Sequence, residues 1–522
     1  MSEKNYSNRL YDSKRIAKNS LVLYLRMFIS LIVGLYTSRV VLNVLGVSDY
    51  GIYGVVAGVV GMMGFLNATM SGATSRFITF ELGKGNIKKL ADTFSSALIV
   101  HSLIAFFVLL VAETIGLWFL NNKLVIPEER LIAANWVYQF SIVSSIATIL
   151  QVPYNACIIS HEKMEVYAYV EILNVILKLI IVYFLQVLAF DKLIMYSFLY
   201  LITSIVVMAI YFIYCFKHFC ESRFRFVWDK SIIKALLSFS GWDLYGNFAG
   251  VVRQQGVNMV INMFFGPILN AASSIATTVS GVIMQFAGNV VISIKPQIIK
   301  CYAQENFQET VRLINIGCII NFILLSFLSI PVIVEMHYVL FVWLKTVPDY
   351  AEIFCKFSLI FNILANQSLV IITGIHATGK IKKPSIFLGT LYILVIPITY
   401  AAFKLGNHFA WLPYLVNVLA VLIGISINAY ILHRYLPMFS FKSFIYRLIF
   451  KFILPFLVVL SLTRWIATMQ EESFARLIIT GVISTTSLAL LSYFWILPKS
   501  IITAITAIVQ QLFNKIFNHE ND

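Results

Sequence analysis

The chain has 522 residues, of which 60% are apolar and only 12% charged, about half the charge of an ordinary soluble domain. So little charge cannot cover a water-facing surface of this size, which excludes a string of soluble domains, and so much hydrophobicity excludes disorder. An all-helical, multi-span membrane protein remains, and the net charge of +15, a nucleic-acid signal in a soluble chain, has first to be read against membrane topology.

Apolar runs of about 20 residues or more, each able to cross a hydrocarbon core of roughly 30 Å as a helix, alternate with short polar breaks. In chain order they predict fourteen spans, at 20–45, 51–80, 93–120, 131–159, 167–190, 193–216, 236–264, 268–294, 313–343, 353–376, 385–403, 409–432, 445–466 and 474–496. The segments before span 1 and after each even-numbered span hold 26 of the 39 Lys and Arg, with Lys451 counted after span 12; the opposite segments hold 7, and 6 lie within spans. The positive-inside bias then places both termini in the cytoplasm, and nucleic-acid binding loses its support. The basic start Met1–Lys18 runs into a long apolar stretch without a small-residue cleavage site, which reads as an uncleaved anchor.

Ionisable residues inside spans are costly and usually face a cavity or a partner. Span 1 carries Arg26 and Arg39, 13 residues apart, about 220° around an ideal helix, so they do not share a face. Arg76 ends span 2, which also offers Asn67, Ser71, Thr74 and Ser75. In span 5, Glu171, Asn174 and Lys178 share a face, as an ion pair or as a proton or cation relay. Span 7 has Arg253 at its centre beside a polar stripe, Asp243, Asn247, Gly250, Gln254 and Asn258, with Gln255 adjacent. Span 8 repeats a polar face through Ser274, Thr277, Thr278, Gly281, Gln285 and Asn289. Glu113, Glu335 and Lys356 lie near the outer ends, where they reach water. The six cysteines show neither metal-ligand spacing nor a disulfide framework, and no phosphate-loop motif or catalytic constellation is present in the sequence. The end of the chain, from Ile501 to Phe517, has one apolar face and reads as a helix lying on the inner leaflet.

A shift of 220 residues lays Gly46 on Gly266, Gly61 on Gly281 and Asn86 on Asn306 without a gap. Six helices separate the copies, so the halves share one orientation, as in parallel-repeat transporters. The expected organisation is a cytoplasmic segment 1–19, a first lobe 20–216 (helices 1–6), a linker 217–235, a second lobe 236–432 (helices 7–12), two added helices 433–497, and the amphipathic tail 498–522.

The stretch LYTSRVVLNVLGVSDYGIY, followed by a small-residue helix ending in RF, resembles the polysaccharide flippases of the multidrug/oligosaccharidyl-lipid/polysaccharide (MOP) exporter superfamily, nearest to O-antigen or capsule repeat-unit flippases. The resemblance implies two parallel six-helix lobes around a central cavity plus two C-terminal helices, working by alternating access. It implies a non-enzymatic, cofactor-free protein of the bacterial cytoplasmic membrane. Its substrate would be an oligosaccharide on anionic undecaprenyl pyrophosphate, carried from the cytoplasmic to the periplasmic leaflet with a coupling proton or sodium ion. A polysaccharide polymerase and glycosyltransferases are the implied protein partners. The family's cavity cations map to Arg26, Arg39, Arg76 and Arg253, and its acidic outer turn to Asp49. The wide spacing of Arg26 and Arg39 departs from the close pair of lipid II flippases. A cation-coupled multidrug antiporter of the same superfamily is the competing reading; it would favour cavity carboxylates, for which Asp243 and Glu171 are the nearest candidates.

Overall fold

The computed structural model describes residues 19–34, scattered positions between 36 and 56, residues 64–498 apart from short gaps at 123–125, 188–189, 266, 345–346 and 407, and residues 502–503. Among the described residues regular structure is helical throughout. Arg39, the glycines at 46 and 61, and nearly all of the amphipathic tail lie outside them, and so does the side chain of Asn67.

We label the membrane-length helices in chain order. They are α1 (Asn19–Gly34), α2 (Gly64–Lys84), α3 (Ile87–Asn122), α4 (Glu128–Ser160), α5 (Met164–Val187), α6 (Lys192–His218) and α7 (Lys230–Phe265). There follow α8 (Pro267–Ala303), α9 (Phe307–Val334), α10 (Ala351–Thr378), α11 (Lys382–Lys404), α12 (Leu412–Tyr435), α13 (Phe441–Ala467) and α14 (Phe474–Ile496). Among the described residues, eleven helices are long and apolar enough to cross a membrane by length and composition. The other three, α1, α2 and α7, fall on predicted spans; α2 and α7 are the ones that carry Arg76, Glu81, Asp243 and Arg253. The helices are amphipathic in the sense a bilayer demands: Leu21, Leu25, Phe28 and Ile32 of α1 recur every three or four residues and are all at least half exposed. A row of large apolar side chains left outside protein is a lipid-facing stripe.

The helical frame repeats. Helix α3 begins at Ile87 and α9 at Phe307, 220 residues on, and α6 begins at Lys192 and α12 at Leu412, again 220. The residues before the α3 and α9 N-caps match in conformation as well: Gly85 has φ +70° and Glu305, 220 residues later, has φ +60°.

Helix ends are where the sequence reading needs correction. The predicted span ends at residue 294, but α8 continues to Ala303 with Pro296 inside it, as membrane helices tolerate. Lys295 is therefore a helix-interior residue. Helix α13 starts at Phe441, four residues before the predicted span 445–466, and Arg447 and Lys451, which the charge count assigned to the preceding segment, lie inside the helix.

By internal contacts the chain divides into two compact units. One comprises Ala17–Asn247 and Lys295–Asn306; the other comprises Phe248–Ile294 and the chain from Phe307 onward. Helices α7 and α8 contribute a segment to each. The core of the first unit sets Ile78, Leu90, Phe94, Tyr154, Cys157 and Tyr211 together from α2, α3, α4 and α6. Within it Gly83 of α2 lies against the α8 backbone: a Cβ there would stand 2.9 Å from both Lys300 Cα and Ala303 Cβ. Gly83→Ala is therefore expected to cost about 1–3 kcal/mol through overpacking, despite alanine's better helix propensity. The check is the apparent melting temperature of the detergent-solubilised protein, which falls if the contact is as close as described and rises if α8 can move away.

Candidate functional site

In the second unit, α7 carries Arg253 into a cavity of about 280 Å³. The guanidinium carbon lies 4.5 Å from the ring centre of Phe361 and 4.7 Å from that of Tyr392, so two aromatic faces hold the charge. Nη1 donates to Asn417 Oδ1 at 2.9 Å, and Nε is buried with no partner among the described residues. No carboxylate pairs with Arg253 among the described residues. Two residues of the predicted stripe, Gln254 and Asn258, line the same cavity.

The remaining wall is polar and partly prearranged. Ser273 Oγ donates to Asn258 Oδ1 at 2.5 Å and lies 2.7 Å from the Tyr414 hydroxyl. Ser280 Oγ donates to Asn362 Oδ1 at 3.1 Å, and Asn362 Nδ2 donates back to the Ser280 carbonyl at 2.9 Å. Gln255 and Gln285 are exposed and are not among the residues lining this cavity. Sequence reasoning found Arg253, Gln254 and Asn258 but passed over Asn417, Asn362, Phe361 and Tyr392. An Asn near the middle of an apolar span was the available signal for two of them.

The first unit holds the other singled-out residues in separate clusters. Asp243 interacts electrostatically with Lys295 and accepts from Asn247 Nδ2 at 3.4 Å, which in turn reaches Thr69 Oγ1 at 3.3 Å. Gly72 of α2 makes room for it: a Cβ there would lie 3.6 Å from Asp243 Oδ2. Lys295 was missed because the predicted span stopped one residue short of it. Arg26 Nη1 donates to the Tyr167 hydroxyl at 2.9 Å, with its guanidinium 5.0 Å from that ring. The Tyr211 hydroxyl donates to Glu171 Oε1 at 3.3 Å, whereas Lys178 lies 4.7 Å from the Tyr200 ring. Glu171 and Lys178 thus find separate partners on their shared face. Arg76 is buried against Phe77, Phe80 and Phe239 at 4.5, 4.8 and 5.8 Å.

Asp49 belongs to a clamp that hydropathy could not show. Arg130, at the start of α4, donates Nε to Asp49 Oδ1 at 2.9 Å and Nη2 to Asp49 Oδ2. Its Nη1 donates to Asp191 Oδ2 at 2.5 Å, and Asp191 also caps α6 by accepting from the Leu193 and Ile194 amides. Three segments of one unit, far apart in sequence, are tied to one guanidinium. Burial pushes the Asp191 carboxyl up, but Arg130 and the two amides outweigh it and hold the group below the ordinary aspartate value. A depressed carboxyl contributes stability that is present above its unfolded value near 4 and is lost as pH falls through the lower folded value. Arg130→Gln is expected to cost about 1 kcal/mol at neutral pH, since the pairs are partly exposed, and to shrink the acid-dependent loss below about pH 4. Apparent melting temperature against pH for both proteins checks this.

Two sequence readings are corrected. Glu335 does not reach water: it is 1% exposed and accepts from Arg476 Nη2 at 2.7 Å and Nε at 3.0 Å. Cysteine spacing suggested no ligand cluster, yet folding brings Cys157, His161 and Glu221 together within 4.8 Å. These groups already bond one another: a His161 ring nitrogen lies 2.5 Å from Glu221 Oε1 and the Cys157 thiol 3.7 Å from the same oxygen.

Comparison with known proteins follows this geometry. Residues 16–298 match the family model described as polysaccharide biosynthesis protein. Among curated protein sequences none matches. Solved structures are similar over nearly their full length. An outward-facing multidrug resistance MATE family transporter of the MOP superfamily has a TM-score of 0.70 at 12% identity, covering 83% of this chain and 97% of its own. A MATE in the straight conformation scores 0.69 at 13% identity, with coverages of 81% and 97%. A MOP superfamily transporter from Pyrococcus furiosus, described by the reverse polarity of its binding pocket, scores 0.65 at 13% identity, with coverages of 81% and 96%. With more than half of its length matched by the family model, the chain belongs to the polysaccharide biosynthesis protein family, and its fold is that of the MOP superfamily transporters.

Proposed function

We propose that this protein moves undecaprenyl-pyrophosphate-linked oligosaccharide repeat units from the cytoplasmic to the periplasmic leaflet of the bacterial cytoplasmic membrane, by alternating access, for O-antigen or capsule synthesis. It acts as a transporter and not as an enzyme. The observation that carries the reading is Arg253, a half-buried guanidinium in a polar cavity, its Nε buried and unpartnered, with no carboxylate partner among the described residues. Desolvating a cation without an anion is expensive, so the site is suited to a ligand that brings the negative charge. Guanidinium groups grip phosphate oxygens through charge-assisted, often bidentate hydrogen bonds, and the vacant Nε leaves one side of the fork available. Asn258, Ser273, Ser280 and Asn362 offer the hydroxyl and amide partners that sugars need.

The cavity volume sets a limit. At about 280 Å³ it lies at the low end of small-molecule sites, roughly 300–1,000 Å³. It seats the pyrophosphate or one sugar, while the lipid tail stays in the bilayer. Arg26 would be its counterpart in the first lobe. Arg76, already covered by three rings, serves packing better, and Asp49 belongs to the outer clamp. Asp243 and Glu171 are the carboxylates on which a coupling proton or sodium ion would act.

One of the structural neighbours is described as a multidrug resistance transporter, but a cationic drug entering this cavity would meet a cation. The purified protein in liposomes decides between the readings. Protein-dependent movement of fluorescent lipid-linked glycan to the opposite leaflet is expected. Uptake of cationic dyes without glycan movement would instead establish the antiporter, and movement of neither would leave a scaffold of the glycan assembly machinery.

A further inference from the structure

The second unit contains another cavity, of about 500 Å³, walled by Arg312 and Asn315 of α9, Arg447 and Lys451 of α13, and Ile496 at the end of α14. The three cations sit inside their helices. At ~1.5 Å per residue, Arg312 lies about 8 Å, Arg447 about 9 Å and Lys451 about 15 Å from the first residue of its helix. Cations carried on apolar membrane helices are costly and usually face a partner or a cavity.

The described residues supply too few. Arg312 Nη1 donates to Glu309 at 2.8 Å. Arg447 and Lys451, both half-buried, have no hydrogen bond or ion pair among the described residues. Asn315 Oδ1 is buried with no donor. Two uncompensated cations beside an unsatisfied acceptor call for a ligand that carries both negative charge and a hydroxyl.

The backbone is adapted at the same place. Helix α13 turns into π-geometry over Arg447–Ile453, and α14 does so over Ser492–Ile496; such segments often mark functional sites. Trp495 Nε1 donates to the Phe450 carbonyl at 3.0 Å, tying the two together. Tyr446, Phe450, Tyr493, Phe494 and Trp495 are all exposed nearby. A band of exposed aromatic residues is what a helix presents at the level of lipid headgroups.

We propose that this cavity binds the headgroup of an anionic phospholipid of the glycerol-phosphate class. Arg447 and Lys451, at i and i+4 on one helix face, take the phosphate, and Asn315 takes a glycerol hydroxyl. The lipid would fix α13 and α14 against α9. The site is separate from the Arg253 cavity and does not depend on what the protein transports.

Native mass spectrometry of the full-length, delipidated protein tests this, with phosphatidylglycerol, phosphatidylcholine and inorganic phosphate as probes. Expected is retention of one phosphatidylglycerol in strong preference to phosphatidylcholine. The double variant Arg447→Gln, Lys451→Gln should lower it about tenfold, and Lys451→Arg should preserve it. Equal retention of phosphatidylcholine by the wild type would overturn the proposal without recourse to any variant. Unchanged phosphatidylglycerol binding in a double variant that still elutes as a folded species would overturn it too. So would displacement of the lipid by millimolar inorganic phosphate, which would mark a soluble-anion site, or by undecaprenyl pyrophosphate one for one, which would mark part of the transport path.

Discussion

Arg253→Ala is expected to lower transport of lipid-linked glycan by roughly 10- to 100-fold, with the protein still folded and in the membrane. The magnitude follows from losing a charge-assisted contact to phosphate, about 1.5–3 kcal/mol. Folding should survive because the wild-type guanidinium is held by stacking on Phe361 and Tyr392 and by one hydrogen bond to Asn417; no buried carboxylate is orphaned when it goes. Arg253→Lys separates charge from geometry. Lysine keeps the positive charge but loses the planar fork and much of the stacking, so it should fall between wild type and alanine. Asn417→Ala removes the group that fixes the guanidinium and should reduce transport only a few-fold. The readouts are surface polysaccharide in a complemented deletion strain and initial rates in liposomes. Normal polysaccharide from well-expressed Arg253→Ala would remove Arg253 from the substrate path.

Arg476→Ala should have the largest effect on stability. Glu335, at the end of α9, has a fully buried side chain, and Arg476, near the start of α14, is its cationic partner at 2.7 Å. Removing the arginine leaves a buried carboxylate uncompensated, at a cost of about 3–5 kcal/mol. The reverse substitution, Glu335→Gln, should cost less. Its side chain keeps the volume and a hydrogen-bonding oxygen, and Arg476 retains Glu472 at 3.4 Å. The double variant Glu335→Gln, Arg476→Ala should therefore be more stable than Arg476→Ala alone. Fluorescence-detected size exclusion after heating measures all three. A single alanine variant as stable as wild type would mean that the carboxylate finds water, as its place near a helix end first suggested.

How much of this was legible in advance depends on what kind of signal each residue gives. Arg253 could be found because a cation deep in an apolar run stands out whatever surrounds it. Gln254 and Asn258 followed from helical spacing. Lys295 was hidden by a boundary effect: hydropathy ends a span where charge begins, so a helix that carries its charge inward is cut short; Arg447 and Lys451 fell inside a predicted span but were counted with the segment before it. Arg130 was counted as one more outer charge, and its role appeared only when Asp49 and Asp191, 81 and 61 residues away in sequence, were brought to it. The aromatic faces around Arg253 gave no signal, because Phe361 and Tyr392 look like any other apolar residue of a span.

The sequence by itself determined the membrane class, the order of the long apolar helices, the 220-residue period and the arginine set in the middle of α7. Each of these is written in local hydrophobicity or in spacing along one helix, and lipid leaves a chain little other than helices to form. Only the tertiary structure decided which polar groups share a cavity, which charges are neutralised and which are left waiting. Those outcomes depend on contacts between helices far apart in the chain, which local hydrophobicity and helical spacing do not record.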